Sequence, residues 1–219
     1  MISVVIPAYN EEKYIGATLQ SLIESMKECP EEVEIIVVDN NSMDNTRKVA
    51  LEYEGVKCFQ YPVVGQVHAK NFGASIARGD ILIFIDADCT VEGHLFKELS
   101  EKSKNPYFVG GGINHIKFTR MSLGIMCFIF LVAVTMILNQ ITVCGLWVRK
   151  GVFDSIGGFR NPYQFQDINF AKKLKQYAKE HYKKFESLKE CNLTWSTRKF
   201  DEWGDWHWVK GYRTEKLGS

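Results

Sequence analysis

The feature that most constrains this chain is an alternation, repeated from residue 3 to residue 85, between short apolar runs and stretches whose apolar residues recur at helical spacing. Ser3-Val4-Val5-Ile6 is closed by Pro7, and Ile15, Leu19, Leu22, Ile23 and Met26 then share one helical face. Val33 to Val38 is a second β-rich run, which stops at Asp39-Asn40-Asn41-Ser42, a cluster of turn and N-cap residues. Thr46, Val49, Ala50 and Tyr53 mark the helix that follows. A third strand over 56–61, a helix over 67–78 and a fourth strand, Ile81-Leu82-Ile83-Phe84-Ile85, complete the order βαβαβαβ. Near-continuous apolar strands are covered on both faces, so the pattern predicts an α/β fold: a mostly parallel central sheet, helices on both faces, right-handed crossovers.

A chain of 219 residues suits one domain around such a sheet. Residues 1–110 form its regular half, 111–200 a second half and 201–219 a Trp-rich tail. The second half is less regular: Gly110-Gly111-Gly112, a long apolar segment, a β-like run from Ile141 to Val148 and Gly157-Gly158-Phe159. Its last helix carries Asp167, Ala171, Leu174 and Ala178 on one face. Lys plus Arg number 27 against 26 for Asp plus Glu, and a net charge of +1 gives no pull toward nucleic acid. Six scattered cysteines, with no C-x-x-C pair and no secretory signal, fit a reduced, cytoplasmic compartment.

Sheets of this kind bind ligands at the carboxyl ends of their strands. The polar clusters Pro7 to Glu11, Asp39 to Asp44 and Asp86 to Asp88 all fall there. Asp86-Ala87-Asp88 follows the most apolar strand, and its two carboxylates suit Mn²⁺ or Mg²⁺, ions typically held by one or two carboxylates together with phosphate oxygens. The plain alternative is a solvated acidic loop. Tyr9 offers a ring to stack on a nucleobase and Asp39 an acceptor for a base N–H, at adjacent strand ends. Lys70, near the first turn of a helix, adds a positive charge to that helix's N-terminus for anionic phosphate.

Four separated segments carry a resemblance. They are Ile6-Pro7-Ala8-Tyr9-Asn10-Glu11-Glu12, Asp39-Asn40-Asn41-Ser42-Met43-Asp44-Asn45-Thr46, Gly65-Gln66-Val67-His68-Ala69-Lys70-Asn71-Phe72-Gly73 and Asp86-Ala87-Asp88. In order and spacing they resemble the nucleotide-sugar-binding half of family-two glycosyltransferases with the GT-A fold. The resemblance extends to about residue 204 through Gly145-Leu146-Trp147-Val148-Arg149-Lys150, Ile156-Gly157-Gly158-Phe159, Gln166-Asp167 and Ser196-Thr197-Arg198-Lys199-Phe200. It implies an inverting transfer of a sugar from a nucleotide diphosphate donor, commonly UDP-linked, to a carbohydrate or lipid-linked acceptor, with a divalent cation. Donor contacts would come from Pro7, Ala8, Tyr9, Asn10, Glu11, Asp39, Asn41, Lys70, Asp86 and Ala87, and cation contacts from Asp86 and Asp88. Asp167 would be the catalytic base, with Trp147, Gln166 and Arg198 on the acceptor side. Two positions depart from the family: Gln166 stands for the usual Glu, and Lys70 for the usual Arg.

Met121 to Leu138 contains eighteen residues without a charge, the length of a membrane-spanning candidate. One crossing there would put Asp88 and Asp167 on opposite sides of a bilayer, so the reading is an interfacial helix touching a membrane's inner face, a homodimer contact or a core helix. Trp195, Trp203, Trp206 and Trp208 beside Arg198, Lys199, Lys210 and Arg213 suit a membrane interface, a sugar platform or a cap on the core. His115 and His207 are further metal-ligand candidates or structural residues. A nucleotidyltransferase or nicotinamide-dependent oxidoreductase needs glycines in the turn after the first strand, and Pro7-Ala8-Tyr9-Asn10 has none. A sugar-nucleotide-binding protein without catalysis stays open through Gln166.

Overall fold

The structure is a computed structural model that describes residues 1–160 and 165–206. Its elements in order are β1 (Ile2–Ala8), α1 (Ile15–Met26), β2 (Val33–Asp39), α2 (Thr46–Leu51), β3 (Val56–Gln60), α3 (Gln66–Ile76), β4 (Ile81–Phe84), β5 (Cys89–Gly93) and α4 (Leu95–Ser103). There follow β6 (Phe108–Gly111), β7 (Ile113–Phe118), α5 (Leu123–Asn139), β8 (Leu146–Arg149), α6 (Lys150–Ser155), α7 (Gln166–Glu180), β9 (Lys184–Phe185), β10 (Leu188–Trp195) and α8 (Arg198–Trp203).

The main sheet runs β3-β2-β1-β4-β8-β6-β9. Its first four strands are parallel, as the apolar runs predict, while β8 is antiparallel to both β4 and β6. Period-two geometry sends alternate side chains of β1 to opposite faces. Val4 and Ile6 join Ile15, Leu19 and Leu22 of α1 on one side, and Val5 joins Val67 and Ala74 of α3 on the other. A smaller sheet, β5-β10-β7, lies beyond the expected pattern.

Two expectations for the second half need correction. The run from Ile141 yields a strand only from Leu146, because Gly145 turns the chain at φ 54°, where a Cβ would lie 2.5 Å from Ile113 Cδ1. The apolar segment is not a core helix: of its 17 residues only Gly124 and Ile125 are buried. Among the described residues no helix is long and apolar enough to cross a membrane. Trp195 packs on Phe118 and Phe128, with ring centroids 5.8 and 6.0 Å away, whereas Trp203 and Trp206 stay about half exposed. Trp208, His207, Lys210 and Arg213 lie outside the described residues.

Candidate active site

The loops after β1 and β2 are laced together by backbone N–H groups donating to side chains. Asn10 N donates to Ser42 Oγ (3.0 Å), Glu11 N to Thr46 Oγ1 (2.7 Å) and Met43 N to Asn10 Oδ1 (2.8 Å). Pro7 and Ala8 pair with Val38 and Asp39 in the parallel ladder, so the two strand ends stand side by side. Asp39 is buried and one of its oxygens accepts Ser42 N–H at 3.0 Å, while Tyr9, which follows the Ala8 that pairs with Asp39, is half-buried and Asn41 is exposed at φ 68°. Sequence reasoning missed Asn40. Its buried amide donates to the Tyr61 and Val63 carbonyls at 3.1 and 2.7 Å and accepts Gly65 N–H at 2.6 Å, fixing the loop that enters α3.

The acidic segment forms a turn between β4 and β5. Cys89 N donates to Asp86 O at 3.1 Å and closes the turn, and Thr18 Oγ1 of α1 donates to Ala87 O at 2.7 Å and holds it. Asp86 accepts from Gln66 Nε2 at 2.8 Å. The Gln166 amide in turn donates to Gln66 Oε1, so Gln166 and Gln66 form an amide relay ending on Asp86. Gln66, like Asn40 and Thr18, is a polar residue whose importance only the fold reveals.

Lys70 joins the two halves. Its side chain is 3% exposed, and its Nζ lies 2.8 Å from Asp167 Oδ1, 3.6 Å from Asp86 Oδ1 and 5.1 Å from the Phe159 ring centroid. Burial works against the ammonium charge, but Asp167 and Asp86 outweigh it and hold Lys70 above the ordinary lysine range. For Asp167 burial raises the carboxyl and Lys70 opposes it. The aromatic stack Phe84, Phe159, Phe170 brings α7 here: Phe159 meets Phe84 edge-on at 4.9 Å and stacks on Phe170 at 4.2 Å. Asn71 locks the Phe159 loop to α3 by accepting Phe159 N–H at 3.0 Å and donating to Phe159 O at 2.9 Å.

Arg198 lies against the acidic side. Its Nε donates to Asp88 Oδ2 at 3.2 Å, its Nη2 pairs with Glu11, and its guanidinium sits 4.7 Å over the Tyr14 ring. Burial, opposed by Arg198, pushes the Glu11 carboxyl up to about 7; burial followed by the neighbouring Asp86 raises Asp88. Trp147 is instead a core residue: it is fully enclosed and its indole N–H donates to Glu186 O at 3.1 Å. His115 is exposed on β7.

The donor set fits a hard divalent cation. Asp86 and Asp88 would offer carboxylate oxygens from one turn, and among the described residues Glu11 Oε2 is buried with no hydrogen-bond partner. Among those residues no group of three or more His, Cys, Asp or Glu side chains is placed to hold a metal ion.

A parallel half-sheet whose strand ends gather Tyr9, Asp39 and an acidic turn, joined to a mixed half that supplies a further carboxylate, has the GT-A architecture. S. aureus TarS superposes with a TM-score of 0.67 at 19% identity, over 93% of this chain and 38% of that one. The mannosyltransferase PcManGT from Pyrobaculum calidifontis, solved with GDP-Man and Mn²⁺, superposes with a TM-score of 0.64 at 17% identity, over 88% and 56%. The profile described as Glycosyl transferase family 2 matches residues 3–122, more than half of the sequence, and the chain belongs to that family. Among curated relatives, the undecaprenyl-phosphate 4-deoxy-4-formamido-L-arabinose transferase of Proteus mirabilis is 37% identical over 93 residues, 40% of this chain and 28% of that protein. A dolichyl N-acetyl-alpha-D-glucosaminyl phosphate 3-beta-D-2,3-diacetamido-2,3-dideoxy-beta-D-glucuronosyltransferase of Methanococcus voltae is 34% identical over 129 residues, 52% and 40%. The chain thus spans no more than 40% of either relative.

Proposed function

We propose that this chain transfers a sugar, with inversion, from a nucleotide diphosphate donor to an acceptor hydroxyl. The observation that carries the reading is Lys70, whose ammonium touches Asp86 of the acidic turn and Asp167 of α7, so that donor-side and acceptor-side carboxylates face one cleft. Tyr9 and Asp39 receive the nucleobase, for which UDP is the first choice, while Lys70 and Arg198 supply fixed positive charge for the diphosphate. A divalent cation on Asp86 and Asp88, when bound, neutralises charge on the departing diphosphate.

Asp167 does the proton chemistry. The acceptor oxygen bonds to the anomeric carbon as its proton passes to the Asp167 carboxylate. The bond from that carbon to the diphosphate oxygen breaks on the opposite face, and its electron pair leaves with the diphosphate. Burial raises the Asp167 carboxyl, and the Lys70 ammonium 2.8 Å away opposes that rise. Relatives named for undecaprenyl- and dolichyl-linked substrates support an acceptor carried on a lipid, which would be met at a membrane surface.

Thermal melting against UDP, GDP and other nucleoside diphosphates, each with and without Mn²⁺, tests the donor half. A ligand at about a hundred times its Kd adds roughly 2.7 kcal/mol, a rise of roughly 5–10 °C for a chain this size. The expected result is a rise with UDP that grows when Mn²⁺ is added. No rise with any nucleotide would remove the reading.

A further inference from the structure

The outer arc of α5 is apolar, exposed and unused by the transfer chemistry. Leu123, Met126, Phe130, Leu131, Ile137 and Leu138 are between 50% and 78% exposed. At about 100° per residue they fall within an arc of roughly 140° along a helix roughly 25 Å long. Opposite them Phe128 packs on Trp195 and Phe200, whose rings lie 6.0 and 5.4 Å away. The helix is sealed as well as apolar. Thr135 Oγ1 donates to Leu131 O, and Asn139 Nδ2 donates to Thr135 O, so its polar side chains turn back on its own backbone.

Both ends of α5 carry groups that suit a headgroup layer. At the C-terminal end Lys175 Nζ donates to the Asn139 and Gln140 carbonyls at 2.7 and 3.2 Å, which sets α7 beside it. Residues 168–185, covering most of α7 and the turn after it, hold six lysines against the single acid Glu180. At the N-terminal end Arg120 pairs with Asp201 and Asp205, placing the half-exposed Trp203 and Trp206 in the neighbouring segment.

We infer that α5 lies in the surface of an anionic lipid bilayer, its outer arc in the acyl boundary and the α7 lysines among the headgroups. A second protein surface is the poorer occupant. Protein interfaces fix their register with a polar rim and hydrogen bonds, and the six exposed side chains of the outer arc are hydrocarbon or thioether, with only the half-buried Cys127 thiol, a weak donor, among them. Hydrocarbon needs no register, and lysines beside an apolar face attract anionic lipid. Phe200, under the inner face of α5, belongs to the same short helix as Arg198, so the docked surface adjoins the cleft. The inference extends the lipid-carried acceptor reading; its deciding readout is flotation, which needs neither donor nor acceptor, so the two can fail separately.

The test is flotation of the full chain with vesicles of phosphatidylcholine, or of phosphatidylcholine mixed with phosphatidylglycerol. Wild-type protein floats with the mixed vesicles and far less with the neutral ones, and added salt lowers the bound fraction. Phe130→Asp with Leu131→Asp, at positions already exposed, abolishes flotation while the melting temperature of the protein alone stays as in wild type. Lys172→Glu and Lys179→Glu each weaken binding by at least about fivefold. Wild-type protein that stays at the bottom with both vesicle types overturns the inference without any variant. So does unchanged flotation of the Phe130/Leu131 variant, or a dimer in light scattering that the same variant splits with no vesicle binding in wild type.

Discussion

Lys70 is the residue at which charge, burial and topology meet. An ammonium 3% exposed and held 2.8 Å from Asp167 and 3.6 Å from Asp86 is tolerated because two carboxylates share it. Lys70→Met, similar in volume, leaves both acids facing one another in a partly buried cleft without their shared cation. The expected cost is about 3–5 kcal/mol at neutral pH. That cost shrinks as pH falls, because burial and the neighbouring Asp86 charge raise the Asp167 carboxyl and its protonation then relieves the repulsion. Urea unfolding at neutral and mildly acidic pH measures it, and equal losses at both would make the lysine a packing residue only. Asp167→Asn keeps the shape and removes the basic oxygen, so calorimetry should find donor binding intact while turnover falls by about 10²–10⁴. Retained turnover would dismiss it as the base. Asp88→Ala should abolish metal-dependent nucleoside diphosphate binding in the same calorimeter, and unchanged binding would end its role as a ligand.

At the scale of elements, α3 delivers Gln66, Lys70 and Asn71 to the site because it lies unusually close to the sheet. A Cβ at Gly73 would come 2.4 Å from Val5 Cγ1 and 3.1 Å from Val38 Cγ2, both buried. Gly73→Ala should therefore lift the helix and cost about 1–3 kcal/mol in spite of alanine's better helix propensity. Gly151→Ala in α6, where nothing lies within 4 Å of the added carbon, should leave the melting temperature unchanged or raise it. If the two variants melt alike, close approach is not what glycine provides at position 73. The helices and strands up to Phe84 were legible because period 3.6 and continuous apolar runs are strong local signals. The strands β5 and β7 were not, because Cys89–Gly93 and Ile113–Phe118 are short, half-exposed and defined by pairing with β10 about a hundred residues along for β5. The seat of Arg198 was equally hidden: its partner Asp88 lies 110 residues away, and proximity of that kind follows only from assembled topology.

For the whole molecule, the motif residues at strand ends could be read from sequence since a parallel sheet gathers its C-terminal edges, but the pins that make four strands one cooperative body could not. Glu34 is such a pin. Its side chain is 4% exposed; it accepts Ser3 Oγ of β1 (2.7 Å), the Arg78 backbone N–H ahead of β4 (2.7 Å) and Lys57 Nζ of β3 (2.8 Å). Burial alone would raise this carboxyl, yet the bonds from Lys57, Arg78 and Ser3 prevail and bring it down from 4.5 to about 2. Because the folded value is depressed, the stabilisation is fully present above the unfolded value and drains away as pH falls from about 4.5 toward 2. The amount at stake is on the order of 2–3 kcal/mol. Every group Glu34 holds belongs to a different segment of the main sheet, so its protonation should lower global unfolding free energy and leave no single strand loosened by itself. Denaturant unfolding of wild type across that acid window should show a steeper fall than Glu34→Gln, which begins less stable and varies less with pH. Parallel profiles for the two proteins would mean that the sheet's acid sensitivity originates elsewhere.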